Sequence, residues 1–81
     1  MNIIVLGCGK AGQKIAELLN EENGHNITLI DRRYDVVNDI INHFDIMGVV
    51  GDGADVDVLK EAGIETADLL IAVTGSDELN L

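Results

Sequence analysis

The chain has 81 residues, one cysteine, five basic and 15 acidic side chains, and a formal charge of −10. These totals allow one small domain without an internal disulfide, and the charge argues against nucleic acid as a partner. No apolar run approaches the ~20 residues of a membrane span, and the opening Met1-Asn2-Ile3-Ile4-Val5-Leu6 lacks the basic start and the length of a signal peptide.

Four short runs rich in branched aliphatics occupy residues 3–6, 27–30, 46–50 and 69–73, as expected of strands covered on both faces. Between the first two, Ala11, Ile15, Leu18 and Leu19 share one helical face, and Asn23-Gly24 is placed to end that helix. Next, Val36, Val37, Ile40, Ile41 and Phe44 form a second helical stripe. A third, shorter helix is expected from Asp55 to about Ala62, stopped by Gly63. After the fourth run, Thr74-Gly75-Ser76-Asp77-Glu78 reads as a turn with Ser76 as a helix N-cap. The pattern is β-α-β-α-β-α-β, an α/β, Rossmann-like, doubly wound parallel sheet with expected strand order 3-2-1-4. The last run reads as a central strand with nothing after it to cover its outer edge. Residues 1–81 are therefore expected to be the N-terminal part of a larger domain.

Three glycines, Gly7, Gly9 and Gly12, fall within six residues directly after the first strand. Alone, G-x-G-x-x-G is weak; between a strand and a helix it is the dinucleotide-binding turn. Gly7 permits the turn, Gly9 admits a pyrophosphate to the main chain, and Gly12 lets the helix pack on the strand. The helix start supplies N–H groups and a positive dipole end for phosphate. Asp31 ends the second strand, 19 residues after Gly12, where a carboxylate accepts hydrogen bonds from ribose hydroxyls. It would repel a 2′-phosphate by about 1–4 kcal/mol at 4 Å, which favours NAD or an adenosine phosphate over NADP. Arg32 and Arg33 leave two readings open. An arginine there holds a 2′-phosphate or stacks on adenine, or both are solvated loop residues.

Other residues near the strand ends carry weaker signals. Gly51-Asp52-Gly53 follows the third strand and either walls the adenine or, through Asp52, caps the next turn. Thr74-Gly75 lies on the phosphate side or is a plain turn. Lys10 reaches a terminal phosphate or is solvated. Cys8 has a weak activator in Lys10 and is expected to pack rather than react. His25 and His43 are expected at the surface or at helix ends.

Three segments, MNIIVLGCGKAGQKIAELL, ITLIDRR and VVGDGADVDVLKEAGIETADLLIAVTGSDELN, together resemble the N-terminal domains of TrkA-type potassium-uptake regulators, also called KTN domains or RCK N-lobes. The third segment is the most specific. The resemblance implies a cytoplasmic, non-enzymatic regulatory subunit that binds NAD(H) or ATP/ADP. It would form dimers and tetramer-like rings beneath a membrane potassium transporter, peripheral to the membrane and without inserting into it. It places Gly7, Gly9 and Gly12 on the phosphates, Asp31 on the ribose, and Gly51, Asp52, Gly53, Thr74, Gly75 and Asp77 along the pocket; Cys8, Lys10, Ala11, Arg32 and Arg33 complete the candidate cofactor-binding residues. Lysine at position 10, where some relatives carry arginine, leaves a contact to a neighbouring subunit's phosphate without bidentate geometry. The alternative is the cofactor-binding half of an NAD-dependent oxidoreductase, which shares the glycine turn and the carboxylate.

Overall fold

The computed structural model describes residues 1–7 and 9–73. Strand β1 (Asn2–Leu6) leads through helix α1 (Gly9–Asn20) to β2 (Asn26–Asp31). Helix α2 (Tyr34–His43) leads to β3 (Met47–Val50), and α3 (Val56–Glu61) with a short 3₁₀ turn (Ile64–Thr66) leads to β4 (Leu69–Ala72). All strand pairs are parallel and their order is β3-β2-β1-β4, as expected from the alternation of strands and helices.

Alternation along the strands splits the apolar side chains between the two sheet faces. Ile3 and Val5 of β1 and Ile27 and Leu29 of β2 pack with Ala16, Val36, Ile40 and Ile46, so one face carries α1 and α2. The intervening Ile4 and Ile30 are as fully buried, and Leu6 lies against Gly53 in the loop that leads into α3. Both faces of the two middle strands are thus covered, which is why their sequences read as continuous apolar runs.

Several boundaries differ from expectation, each for a local reason. Helix α1 ends at Asn20, before Asn23-Gly24: Glu21 N–H still reaches Glu17 O at 3.2 Å, but Glu22 N–H shifts to Leu19 O at 3.1 Å, a 3₁₀-type closing turn. Ile46 is buried but lies ahead of β3, and Phe44 caps α2 with its N–H on Ile40 O at 3.0 Å. The rotation of α1 also differs. Gly12 and Ala16 are its buried residues, whereas Ala11 is exposed and Leu18 is 51% exposed. Helix α3 ends as expected: Gly63, in the left-handed region, donates its N–H to Lys60 O at 3.0 Å.

The ladders run to the same level at the C-terminal ends of the strands. Gly7 N–H reaches Ile30 O at 3.0 Å, Gly51 N–H reaches Asp31 O at 2.9 Å, and Val73 N–H reaches Leu6 O at 2.7 Å. Gly7, Asp31, Gly51 and Val73 therefore form one rim. At the opposite end, Asn2 N–H bonds the Asp68 carboxylate at 2.7 Å and Asp68 N–H bonds Asn2 O at 2.7 Å, which ties β4 to β1.

Leu29 is fully buried in β2, and its Cδ1 stands 3.0 Å from where a Cβ on Gly7 would lie. It connects the core to the rim. Leu29→Ala is expected to cost about 2–5 kcal/mol in urea unfolding. A cost under 1 kcal/mol would mean that the core does not support the turn as described.

Candidate functional site

The rim borders a cleft of ≈ 650 Å³, within the range of small-molecule sites. Leu6 and Ile30 supply its apolar floor, Gly7 and Gly9 one side, and Asp31, Arg32 and Arg33 the other. Gly51, Gly53 and Val73 complete the lining. It lies outside the carboxyl ends of the strands, where the strand order reverses between β1 and β4.

The glycines divide their work as their positions suggest. A Cβ on Gly12 would stand 2.5 Å from Gly7 Cα, and one on Gly7 would stand 2.9 Å from Gly12 Cα. Backbone meets backbone there, so neither position has room for a side chain. Gly12 does not line the cleft; it sets the approach of α1. Gly9 has φ +72° and opens α1 beside the cleft. The first turn of α1 contains no acidic residue, so its N–H groups and positive dipole end remain open to an anion.

Asp31 is the most constrained side chain of the site. It is 4% exposed, and its Oδ1 accepts the Arg33 backbone N–H at 2.9 Å. The Arg33 Nε lies 3.6 Å from the same oxygen. Oδ2 is buried and has no hydrogen-bond partner among the described residues. Buried carboxylate oxygens are normally paired, because an unpaired one loses its hydration without replacement. An orphan acceptor on a residue that lines a cleft beside a glycine turn fits a ligand that donates hydroxyl hydrogens. The residues present therefore suit a nucleotide: Asp31 for the sugar, and the Gly7–Gly9 turn with the start of α1 for phosphate.

The remaining expected residues separate. Gly51 and Gly53 line the cleft and are also needed for packing. A Cβ on Gly51 would stand 2.7 Å from Val58 Cγ2, and one on Gly53 would stand 2.9 Å from Leu6 Cδ2. Asp52 caps its turn, accepting Ala54 N–H at 2.9 Å, and is not among the lining residues. Lys10 and Ala11 are exposed in the first turn of α1. Cys8, Thr74, Gly75, Ser76 and Asp77 lie outside the described residues. His25 does have an acidic neighbour that the sequence reading missed: its Nε2 lies 2.9 Å from Glu22 Oε1. His43 ends α2, with Nδ1 at 2.8 Å from Asp39 O. Sequence reasoning also missed Leu6, Ile30 and Val73 as cleft residues. Their signal was position, since each stands at or near the end of an apolar run that stops at the rim.

This fold and cleft define a Rossmann-like α/β domain with the features of a dinucleotide site. A family model for the TrkA-N domain matches residues 3–81. The chain is 42% identical over 81 residues to the Trk system potassium uptake protein TrkA of Vibrio alginolyticus and 45% identical over 82 residues to that of Halomonas elongata. It is 36% identical over 81 residues to a TrkA homolog of Methanothermobacter thermautotrophicus. Each match covers the whole of this chain, but the chain spans 18% of the first two relatives and 37% of the third. The chain belongs to the TrkA-N family.

Gly12→Ala tests the backbone contact behind the turn. The methyl group must push α1 from β1, and a loss of about 1–3 kcal/mol is expected in urea unfolding despite the better helix propensity of alanine. Unchanged or raised stability would show that the two backbones do not meet.

Proposed function

We propose that this chain is the nucleotide-binding N-terminal part of a regulatory protein for potassium uptake, and that its ligand is NAD(H) or ATP/ADP. The observation that carries the reading is the buried Oδ2, without a partner among the described residues, of Asp31, a residue that lines the cleft beside the glycine turn. The names of the relatives support the potassium-uptake context.

In this reading Asp31 accepts hydrogen bonds from the adenosine ribose. The backbone of Gly7 and Gly9 and the start of α1 hold the phosphates, and Lys10 faces a terminal phosphate, of the same subunit or of a neighbour. Gly51 and Gly53 wall the adenine. Thr74, Gly75, Asp77 and Cys8, outside the described residues, are assigned to the same nucleotide site. No residue makes or breaks a bond. The protein works as a homo-oligomer, a dimer or a tetramer-like ring, on the cytoplasmic side of a membrane potassium transporter. It is held there by that partner; none of the described helices is long and apolar enough to cross a membrane. A nucleotide that binds one shape of the assembly better shifts the population toward it, by no more than the difference in its binding free energies.

Calorimetric titration with NADH, NAD, NADPH, ATP and ADP, on the parent and on Asp31→Asn, tests the reading. Asparagine keeps an acceptor for the Arg33 N–H but loses the charge. Hydrogen bonds to charged groups are worth about 1.5–3 kcal/mol, so a roughly 10- to 150-fold weaker affinity for NADH or ATP is expected, with NADPH poor in the parent. Tight NADPH binding that the substitution leaves untouched would contradict the assignment of Asp31.

A further inference from the structure

Arg33 occupies the cleft in a way that neither the glycine turn nor the carboxylate requires. It stands immediately before α2, and its side chain makes no capping hydrogen bond there. Its backbone N–H serves Asp31, which leaves the guanidinium free to act elsewhere. The side chain runs back across the strand ends. Nε lies 3.6 Å from Asp31 Oδ1, and Nη2 lies 3.2 Å from where a Cβ on Gly9 would stand. The arginine thus spans from the end of β2 to the turn after β1. A nucleotide with its sugar on Asp31 and its phosphate on Gly9 needs that same span.

We infer that Arg33 is a placeholder: in the ligand-free protein its guanidinium covers the nucleoside part of the site, and an arriving nucleotide must displace it. This rests on the nucleotide reading above and adds a step to it. The guanidinium partly offsets the charge of the 4% exposed Asp31, whose other oxygen has no partner among the described residues. Its own side chain is 53% exposed and its ion pair is longer than a hydrogen bond, so displacement costs little. The exchange also selects among ligands. Ribose hydroxyls replace the arginine at Asp31, and only a ligand that carries phosphate offers the displaced cation a new partner. A nucleoside compensates one of the two groups; a nucleotide compensates both.

The test has two parts, both on the full chain. In the ligand-free protein, NMR cross-peaks between the Arg33 side chain and the Gly9 α protons are expected, and they should vanish at saturating NADH. Adenosine, which has no phosphate, should bind Arg33→Met about two- to fivefold more tightly than the parent, the factor set by an exposed ion pair. Methionine keeps most of the apolar stem and the backbone N–H that Asp31 accepts, so the fold is retained. Missing cross-peaks in the free protein, cross-peaks that persist with NADH bound, or an adenosine affinity that is unchanged or weaker in the variant would each overturn the placeholder. Failure of the nucleotide reading looks different. Neither NADH nor adenosine would then perturb the parent or the variant, and the placeholder would fall because nothing displaces it.

Discussion

The backbone of α1 touches the backbone of the turn that follows β1, and the rest of the site depends on that contact. Gly7 and Gly12 meet without side chains between them. The contact fixes how close α1 comes to the sheet and how it is rotated, so Ala16, one turn on, is buried and Leu18 is not. It also aims the first turn of α1 at the level where the other strands end. Gly7, Asp31, Gly51 and Val73 are held at that level by the sheet hydrogen bonds that continue past β1, β3 and β4. A cleft at the reversal of strand order then follows from topology.

Electrostatics give this cleft a character unlike that of the whole chain. The formal charge is −10, yet Arg32 and Arg33 line the cleft with one buried carboxylate, and Lys10 stands exposed in the first turn of α1. Charges more than about 8–10 Å away are largely screened at physiological ionic strength, so an anion near the rim responds mainly to these cations and to the start of α1. A strongly acidic protein can in this way hold a negatively charged ligand. In the proposed reading the buried Asp31 would supply the discrimination, accepting hydrogen bonds from hydroxyls and disfavouring a further phosphate beside it.

Much of this was legible in the sequence because the informative residues obey short-range rules. Four apolar runs separated by helical stripes gave the element order and the parallel sheet. The glycine spacing located the turn, and the distance from Gly12 to Asp31 placed the carboxylate at the end of β2. The rotation of α1 was not legible. Counting apolar residues favours the face of Ala11 and Leu18, but the close approach of Gly12 overrides that count, and the information lies in a residue with no side chain. The sequence leaves Asp52 with two readings, and the loop geometry shows it capping its own turn. The path of Arg33 over Gly9 joins residues 24 positions apart that only the sheet brings together.

Amide chemical-shift mapping tests the central claim most directly. The claim is that an adenine nucleotide binds where β1 and β2 end. With ATP or NADH added to the ¹⁵N-labelled chain, the account predicts perturbations concentrated at Gly7, Gly9, Asp31, Arg33 and Gly51, with the amides around Asn2, Asn26 and Asp68 at the other end of the sheet unmoved. Perturbations centred on that other end, or none at saturating nucleotide, would contradict it.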